Sequence, residues 1–147
     1  MQKMKLKAKR VNFFVDKKES KSEVDRFNRI SSKVLIDRVL EFLFRIQKDC
    51  EKQYPIYLPK SSYEELQIAL AFSFSKTQNK NTSAVKEVLA ILNQKEEALP
   101  QNQIALVVNT FIDFITKGRD NYEDVEDVLY LITNLSPLLY QAKSNEG

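Results

Sequence analysis

A row of cationic side chains in the first half of the chain has the spacing of one helical face. Arg38, Glu41, Arg45, Lys48 and Lys52 follow one another at steps of three and four residues, which is the repeat of an α-helix. Four of these five side chains are cationic, and such a row can contact the phosphates of a nucleic-acid backbone. The alternative is an ordinary solvated face, in which Glu41 and Arg45 form an i,i+4 ion pair worth about 0.2–0.5 kcal/mol.

A second cationic stripe precedes the first and is out of phase with it. Arg26, Arg29 and Lys33 recur at helical steps, but the next step, from Lys33 to Arg38, is five residues. Ser31-Ser32 lies at this slip, and serine side chains compete for nearby backbone groups. We therefore expect one long helix, or two helices end to end, with a kink or short break at the two serines. The cations of both stripes are predicted to contact nucleic acid.

Residues 1–19 are predicted to form a basic arm. Lys7, Lys9 and Arg10 belong to it and are closely followed by Phe13 and Phe14. Basic groups next to aromatic rings can hold a nucleic-acid backbone and stack on its bases. The alternative is a tail whose phenylalanines pack into the core. An extended arm and a frayed helix both fit the pattern.

The formal charge is unevenly divided along the chain. Residues 1–60 carry 16 Lys or Arg and 8 Asp or Glu, a net charge of +8, whereas residues 61–147 carry 7 and 12, a net charge of −5. A basic half attracts a polyanion. It could also meet the acidic half of a neighbouring copy, which predicts head-to-tail association of copies.

The densest carboxylate cluster opens a predicted helix. Its members are Asp120, Glu123, Asp124, Glu126 and Asp127. The helix dipole favours carboxylates in the first turns, so we expect either a well-started helix or an acidic patch that docks another protein through Asp120, Glu123, Asp124 and Asp127. Such oxygens would also suit a hard cation, but we predict no bound metal.

Several kinds of catalytic chemistry lack their usual residues. The sequence has no histidine and a single cysteine, Cys50, so the commonest general base and every site built from several cysteines are missing. No glycine-rich phosphate loop is present. We therefore predict that the protein is not an enzyme and has no cofactor.

The expected location is the cytoplasm. Cys50 lies on an apolar seam, where a packed thiol in a reducing compartment is the expected state. No apolar run has the length of a membrane span, and the lysines at the N-terminus are not followed by the apolar segment of a secretory signal.

The apolar pattern predicts an all-α protein, a bundle of about five to six helices. Only two glycines and four prolines occur, which are too few turn residues for a β-rich fold. The predicted helices cover residues 20–53, 61–76, 82–98, 100–117 and 120–135, with a short restart at Ser136-Pro137. The helix over 61–76 is apolar nearly all round and is expected at the centre, and Gly118 is expected as a glycine cap.

This pattern predicts a simple domain organisation. The basic arm over residues 1–19 is followed by a helical bundle domain over residues 20–142. Residues 143–147 are predicted to be a disordered tail.

A small all-helical chain with a basic face and an acidic end resembles the small subunit of class 1 CRISPR effector complexes of the Cascade type. The resemblance is carried by the cations from Lys3 to Arg10, the row from Arg38 to Lys52 and the helical pattern from Ser61 to Tyr140. It is a resemblance of architecture without a short motif, so no family site residue is transferred to this chain.

The resemblance implies a structural subunit of an antiviral ribonucleoprotein complex. Several copies would stack along a backbone that bears the guide RNA, and their basic faces would hold the target or displaced DNA strand without reading its sequence. The implied partners are DNA or a guide RNA–DNA complex and other protein subunits, with no small molecule and no membrane.

Two other functions fit the same residues. One is a helical protein–protein interaction module, such as an adaptor or a phage-encoded inhibitor. The other is a membrane-surface binder that uses the basic arm.

Overall fold

The structure, a computed structural model, describes residues 31–52, 56–95 and 97–146. Within these residues the chain forms five α-helices: Ser32–Glu51 (α1), Tyr63–Lys76 (α2), Thr82–Leu92 (α3), Gln101–Lys117 (α4) and Val125–Glu146 (α5). This confirms the predicted all-α bundle of about five to six helices. The basic arm and the predicted contact residues Lys7, Lys9, Arg10, Arg26 and Arg29 lie outside the described residues.

Four helix ends meet at one end of the bundle. Ser32, at the start of α1, donates from its hydroxyl to the carbonyl of Glu123 just ahead of α5, at 3.2 Å. Asn121 donates from its side-chain amide to the carbonyl of Lys76 at the end of α2, and Gly118, which follows α4, packs against the same carbonyl. We call this the Gly118 end. Between the two ends, α1 packs on α4 and α5, and α2 packs on α3, α4 and α5.

Helix α1 begins at the serine pair where the sequence predicts a break. Ser31 has extended backbone angles, φ −73° and ψ 155°, and its hydroxyl accepts a hydrogen bond from the amide of Val34 at 3.3 Å. A serine at this N-cap satisfies an amide that the first helical turn leaves without a partner. Helix α1 therefore begins at the serine pair, while the helix predicted over residues 20–30 lies outside the described residues.

Helix α5 is the most deeply buried helix of the described bundle. Its buried apolar residues are Val128, Leu129, Leu131, Ile132, Leu135, Leu138 and Leu139. The sequence predicts that α2 is buried nearly all round, and that prediction is wrong. Helix α2 packs on three helices and buries Leu66, Ala69 and Leu70, but Ile68 on the opposite side is 40% exposed.

Helix α5 continues through Pro137, where the sequence predicts a restart. A proline inside a helix removes a hydrogen bond and costs about 3 kcal/mol. Leu138 and Leu139 are fully buried, and burial of each side chain contributes about 1.5–3 kcal/mol, which offsets that cost. The backbone of α5 remains helical to Glu146, although the sequence predicts a disordered tail from residue 143.

A two-stranded antiparallel pair joins two connections between helices. Strand β1 is Leu58–Pro59, strand β2 is Ala98–Leu99, and Leu58 is paired with Leu99. Both leucines are buried, and the amide of Lys60 donates to the carbonyl of Glu97 at 2.9 Å. Strands of two residues are too short to show an alternating pattern, so the sequence does not predict this pair.

Candidate nucleic-acid interface

Helix α1 places three of the predicted cations in one line. Arg38, Arg45 and Lys52 are seven residues apart, so they follow one side of the helix over about 21 Å. Arg45 and Lys52 are exposed and Arg38 is half-buried. Lys33 and Lys48 are also exposed, on the adjacent strip of the same helix. The structure therefore brings these five predicted residues to the outer side of α1.

Helix α1 is held at both ends, so the positions of these cations are fixed. Ser32 is bound to the carbonyl of Glu123 at the Gly118 end. At the other end the Gln101 side-chain amide donates to the carbonyl of Cys50 at 2.6 Å and also to that of Lys52. These bonds satisfy carbonyls that the last turn of a helix leaves without a partner. The cationic line is thus carried by a rigid element.

The outer side of α1 is nearly neutral in charge. Within Ser32–Glu51 the four basic side chains are matched by four acidic ones: Asp37, Glu41, Asp49 and Glu51. These acids are interspersed with the cations along the helix. A polyanion at this surface would therefore meet alternating charge and not a uniformly positive face.

The charged groups of α1 differ in their contacts. Asp37 forms an ion pair with Arg119, which follows α4. The Arg45 guanidinium lies 5.5 Å from the centre of the Phe42 ring, a cation–π contact. The i,i+4 pair of Glu41 with Arg45 is not among the ion pairs of the described residues. Arg38 has an interaction partner within the chain as well.

The excess of positive charge lies ahead of the bundle. Residues 1–30 carry ten Lys or Arg and four Asp or Glu, whereas residues 31–147 carry thirteen and sixteen. The first segment therefore has a net charge of +6 and the remainder −3. Residues 31–60 add a net charge of only +2 to the basic half, because α1 itself is balanced.

The predicted docking acids fall into two groups. Asp120, Glu123 and Asp124 are exposed at the Gly118 end. Asp127 is half-buried and bonds to the ammonium group of Lys76 at 3.1 Å. This pair joins α5 to α2, so Asp127 stabilises the bundle and the other three acids form the accessible patch. Among the described residues, no group of three or more His, Cys, Asp or Glu side chains could hold a metal ion.

Two buried hydroxyl groups lie behind this ion pair. Tyr122 is 2% exposed and Ser73 is fully buried, and neither hydroxyl has a hydrogen-bond partner within the described part of the chain. Burial raises the pKa of Tyr122 to about 12. The nearby Ser73 hydroxyl lowers that pKa slightly, although its geometry falls short of a hydrogen bond, and the Asp127 carboxylate raises it.

Gly118 has a role that the sequence does not reveal. Gly118 caps α4 after Lys117 as predicted, but its φ of −94° is not the left-handed conformation of a usual glycine cap, so the predicted conformational reason for this glycine is wrong. A Cβ atom here would lie 2.9 Å from the carbonyl oxygen of Lys76 and 3.0 Å from the Cα of Thr77. The glycine is needed because the end of α2 approaches the backbone at the end of α4.

The single cysteine fits its predicted role as a packed thiol. Cys50 is half-buried near the end of α1. Burial, and to a smaller degree the Asp49 carboxylate, raises the pKa of this thiol to about 11. A thiol with that pKa is almost fully protonated at neutral pH and is a poor nucleophile.

Comparisons with known proteins leave the assignment to the site itself. No protein-family model, no curated protein and no solved structure matches the chain. Among the residues that the structure describes, none of the helices combines the length and the apolar character that are needed to cross a bilayer.

Proposed function

We propose that this protein is a non-catalytic structural subunit of a nucleoprotein complex that binds the backbone of DNA or RNA without reading its sequence. The observation that carries the proposal is the separation of charge: residues 1–30 have a net charge of +6 and lead directly into α1, whereas the remainder has a net charge of −3. A concentrated basic segment next to a folded body is typical of non-specific binding to a polyanion.

Binding would use two sets of cations in unequal shares. Lys7, Lys9 and Arg10 precede the bundle with few acids among them and would supply most of the attraction. Arg45 and Lys48 are exposed on α1, a helix held at both ends, so they would orient the nucleic acid along the helix. Phosphate contacts of this kind fix position but do not discriminate between bases.

The resemblance to CRISPR effector small subunits supports a finer form of the proposal. In this form the bound nucleic acid is the target or displaced DNA strand of an RNA-guided antiviral complex. Asp120, Glu123 and Asp124, exposed at the Gly118 end, would contact a neighbouring protein subunit. These acids would also keep nucleic acid away from that end of the bundle.

The test is a salt titration of binding to labelled single-stranded and duplex oligonucleotides. The logarithm of the affinity should fall linearly with the logarithm of salt concentration, by about 0.9 per duplex phosphate contacted and about 0.7 for single strands. We expect the K7E/K9E/R10E variant to weaken binding more than the R38E/R45E/K48E variant. Each should lower the salt slope by about one for every phosphate that the variant no longer neutralises.

The control is a variant with the same change in formal charge, made outside both the arm and α1. Lys80, Lys86 and Lys95 are exposed at and around α3, and the K80E/K86E/K95E variant should bind almost as the parent does. If all three triple variants bound equally weakly, or all bound as the parent does, local phosphate contacts at the arm and α1 would be excluded.

A protein–protein interaction module is the second candidate, and exposed apolar side chains favour it. Val34 is 43% and Phe44 is 45% exposed, both on α1. They lie among alternating charges, a surface that suits another protein better than a nucleic acid. A complex with one protein that resists high salt and retains no nucleic acid would support this candidate.

A further inference from the structure

Phe44 is an exposed aromatic ring on a helix that is otherwise well buried on its apolar side. Its side chain is 45% exposed and lies at the edge of the buried seam, four residues after Leu40. Covering such a ring would remove a large apolar surface from water. Single exposed apolar residues are common, so the exposure of Phe44 alone does not indicate a contact surface. The residues around it decide the question.

Those neighbours form a strip with a regular repeat. Asp37, Glu41, Phe44, Lys48 and Glu51 are separated by four, three, four and three residues. At 3.6 residues per turn they occupy an arc of about 80° on the outer side of α1. This alternation of three and four is the spacing by which one helix meets another along its length. The strip therefore has the geometry of a helix–helix contact.

The two charges nearest the centre of the strip have opposite signs, whereas the two at its ends, Asp37 and Glu51, are both acidic and would lie near each other across an antiparallel pair. Glu41 lies three residues before Phe44 and Lys48 lies four residues after it. If a second copy of α1 is laid antiparallel, with the two-fold axis between residues 44 and 45, each Glu41 faces the Lys48 of the other copy. A parallel pair would instead place Glu41 on Glu41 and Lys48 on Lys48, and like charges repel.

Both groups are available for this contact. Glu41 and Lys48 are exposed, and neither has an ion-pair partner within the described residues. Asp37, the acid of the strip nearest the start of the helix, already pairs with Arg119. Arg45 is drawn over Phe42, on the side of the helix away from Phe44.

We infer that the central part of the outer strip of α1, from Glu41 to Lys48, is a self-complementary surface that binds the same part of a second copy in antiparallel orientation, with the two Phe44 rings in contact at the axis. Self-complementarity is the property that a two-fold interface requires. One aromatic pair and two exposed ion pairs make a small contact, so self-association should be weak. The inference shares Lys48 with the proposed nucleic-acid contact, so the two contacts would compete for that side chain, but it does not involve the acids of head-to-tail stacking.

The test is the association of the full chain, freed of nucleic acid, in sedimentation over a concentration series. E41K and K48E should each weaken self-association at least tenfold, because each creates two like-charged contacts. An equimolar mixture of E41K with K48E should associate as the parent does, since both contacts are then attractive, and so should the double variant E41K/K48E. F44A should remove association.

The controls separate this surface from others. The variant K86E, on exposed α3, should leave association unchanged, and so should D120K/D124K, which would disrupt head-to-tail stacking. Circular dichroism reports whether each variant is folded. The inference is overturned if folded E41K and K48E associate as the parent does, or if their mixture associates no better than either alone.

Discussion

The contact between α2 and α5 and the outer strip of α1 are built from the same residue types but in different settings. Lys76 and Asp127 bond at 3.1 Å, and each side chain is only 27% exposed. Glu41 and Lys48 are both exposed, seven residues apart on one helix. A pair that is partly withdrawn from water fixes two helices together, whereas exposed charges of both signs leave a surface open to a partner. Substitutions and pH changes at the two regions should therefore differ in their effects, which decrease in the order given below.

Gly118→Val should destabilise the protein the most. The new side chain would meet the carbonyl of Lys76, where even a Cβ atom lies at 2.9 Å, so the ends of α2 and α4 must separate. Overpacking of this kind costs about 3 kcal/mol, which urea denaturation would measure. A Val substitution at exposed Ala71 on α2 is the control, and equal losses of stability in the two variants would disprove the close approach.

Alkaline pH should loosen the same end of the molecule through Tyr122. Because the pKa of Tyr122 is raised from 10.0 to about 12 in the folded state, the folded state holds this proton more tightly than the unfolded state does. This stabilisation is complete below pH 10. As pH rises towards 12 it is lost, and the free energy of unfolding falls by about 2–3 kcal/mol.

The Tyr122→Phe variant isolates this effect from other groups that titrate at high pH. At pH 7 its free energy of unfolding should equal that of the parent, since the hydroxyl has no hydrogen-bond partner within the described residues. Above pH 10 it should lose less stability than the parent does. Identical pH profiles for the two proteins would contradict the assignment.

Asp127→Asn should have a smaller effect. The change removes the charge that holds Lys76 while it keeps the size of the side chain. A partly exposed pair contributes about 0.5–1 kcal/mol, and a double-mutant cycle with Lys76→Met would measure this coupling. A coupling energy near zero would mean that the two helices are joined by apolar packing alone.

Lys48→Gln should leave the stability almost unchanged. Substitutions at exposed positions without special contacts fall within about 0.5 kcal/mol, and thermal unfolding would confirm this. A destabilisation as large as that of Asp127→Asn would show that α1 relies on Lys48 internally, and the contrast between the two regions would then disappear.

The helical fold could be predicted from the sequence because most of its helices are amphipathic. The stripe of α4, from Ile104 to Ile115, is buried as its spacing predicts. The exceptions are features that local spacing cannot show. Pro137 is tolerated because of the tertiary burial of the leucines after it, and the pairing of Leu58 with Leu99 joins residues far apart in sequence.

The candidate site is predictable only in part, because spacing shows which side of a helix a charge is on but not what it meets. Lys48 lies on the outer side of α1, as its spacing predicts. Asp127 is predicted to meet a partner protein, yet it bonds to Lys76, 51 positions away. Arg119 belongs to no predicted site and pairs with Asp37 across the Gly118 end. Long-range pairs of this kind depend on the tertiary fold.

The pairing of β1 with β2 has a consequence for how the chain can change in length. Since Leu58 and Leu99 lie side by side, the chain returns after α2 and α3 to the point where it left. Residues added at exposed Lys80, in the loop beyond Thr77, which packs at the Gly118 end, would not pull α1 away from α4. The entropy cost of closing such a loop grows only slowly with its length, by about 0.6 kcal/mol per doubling, so this position is where the protein can best accept an inserted segment.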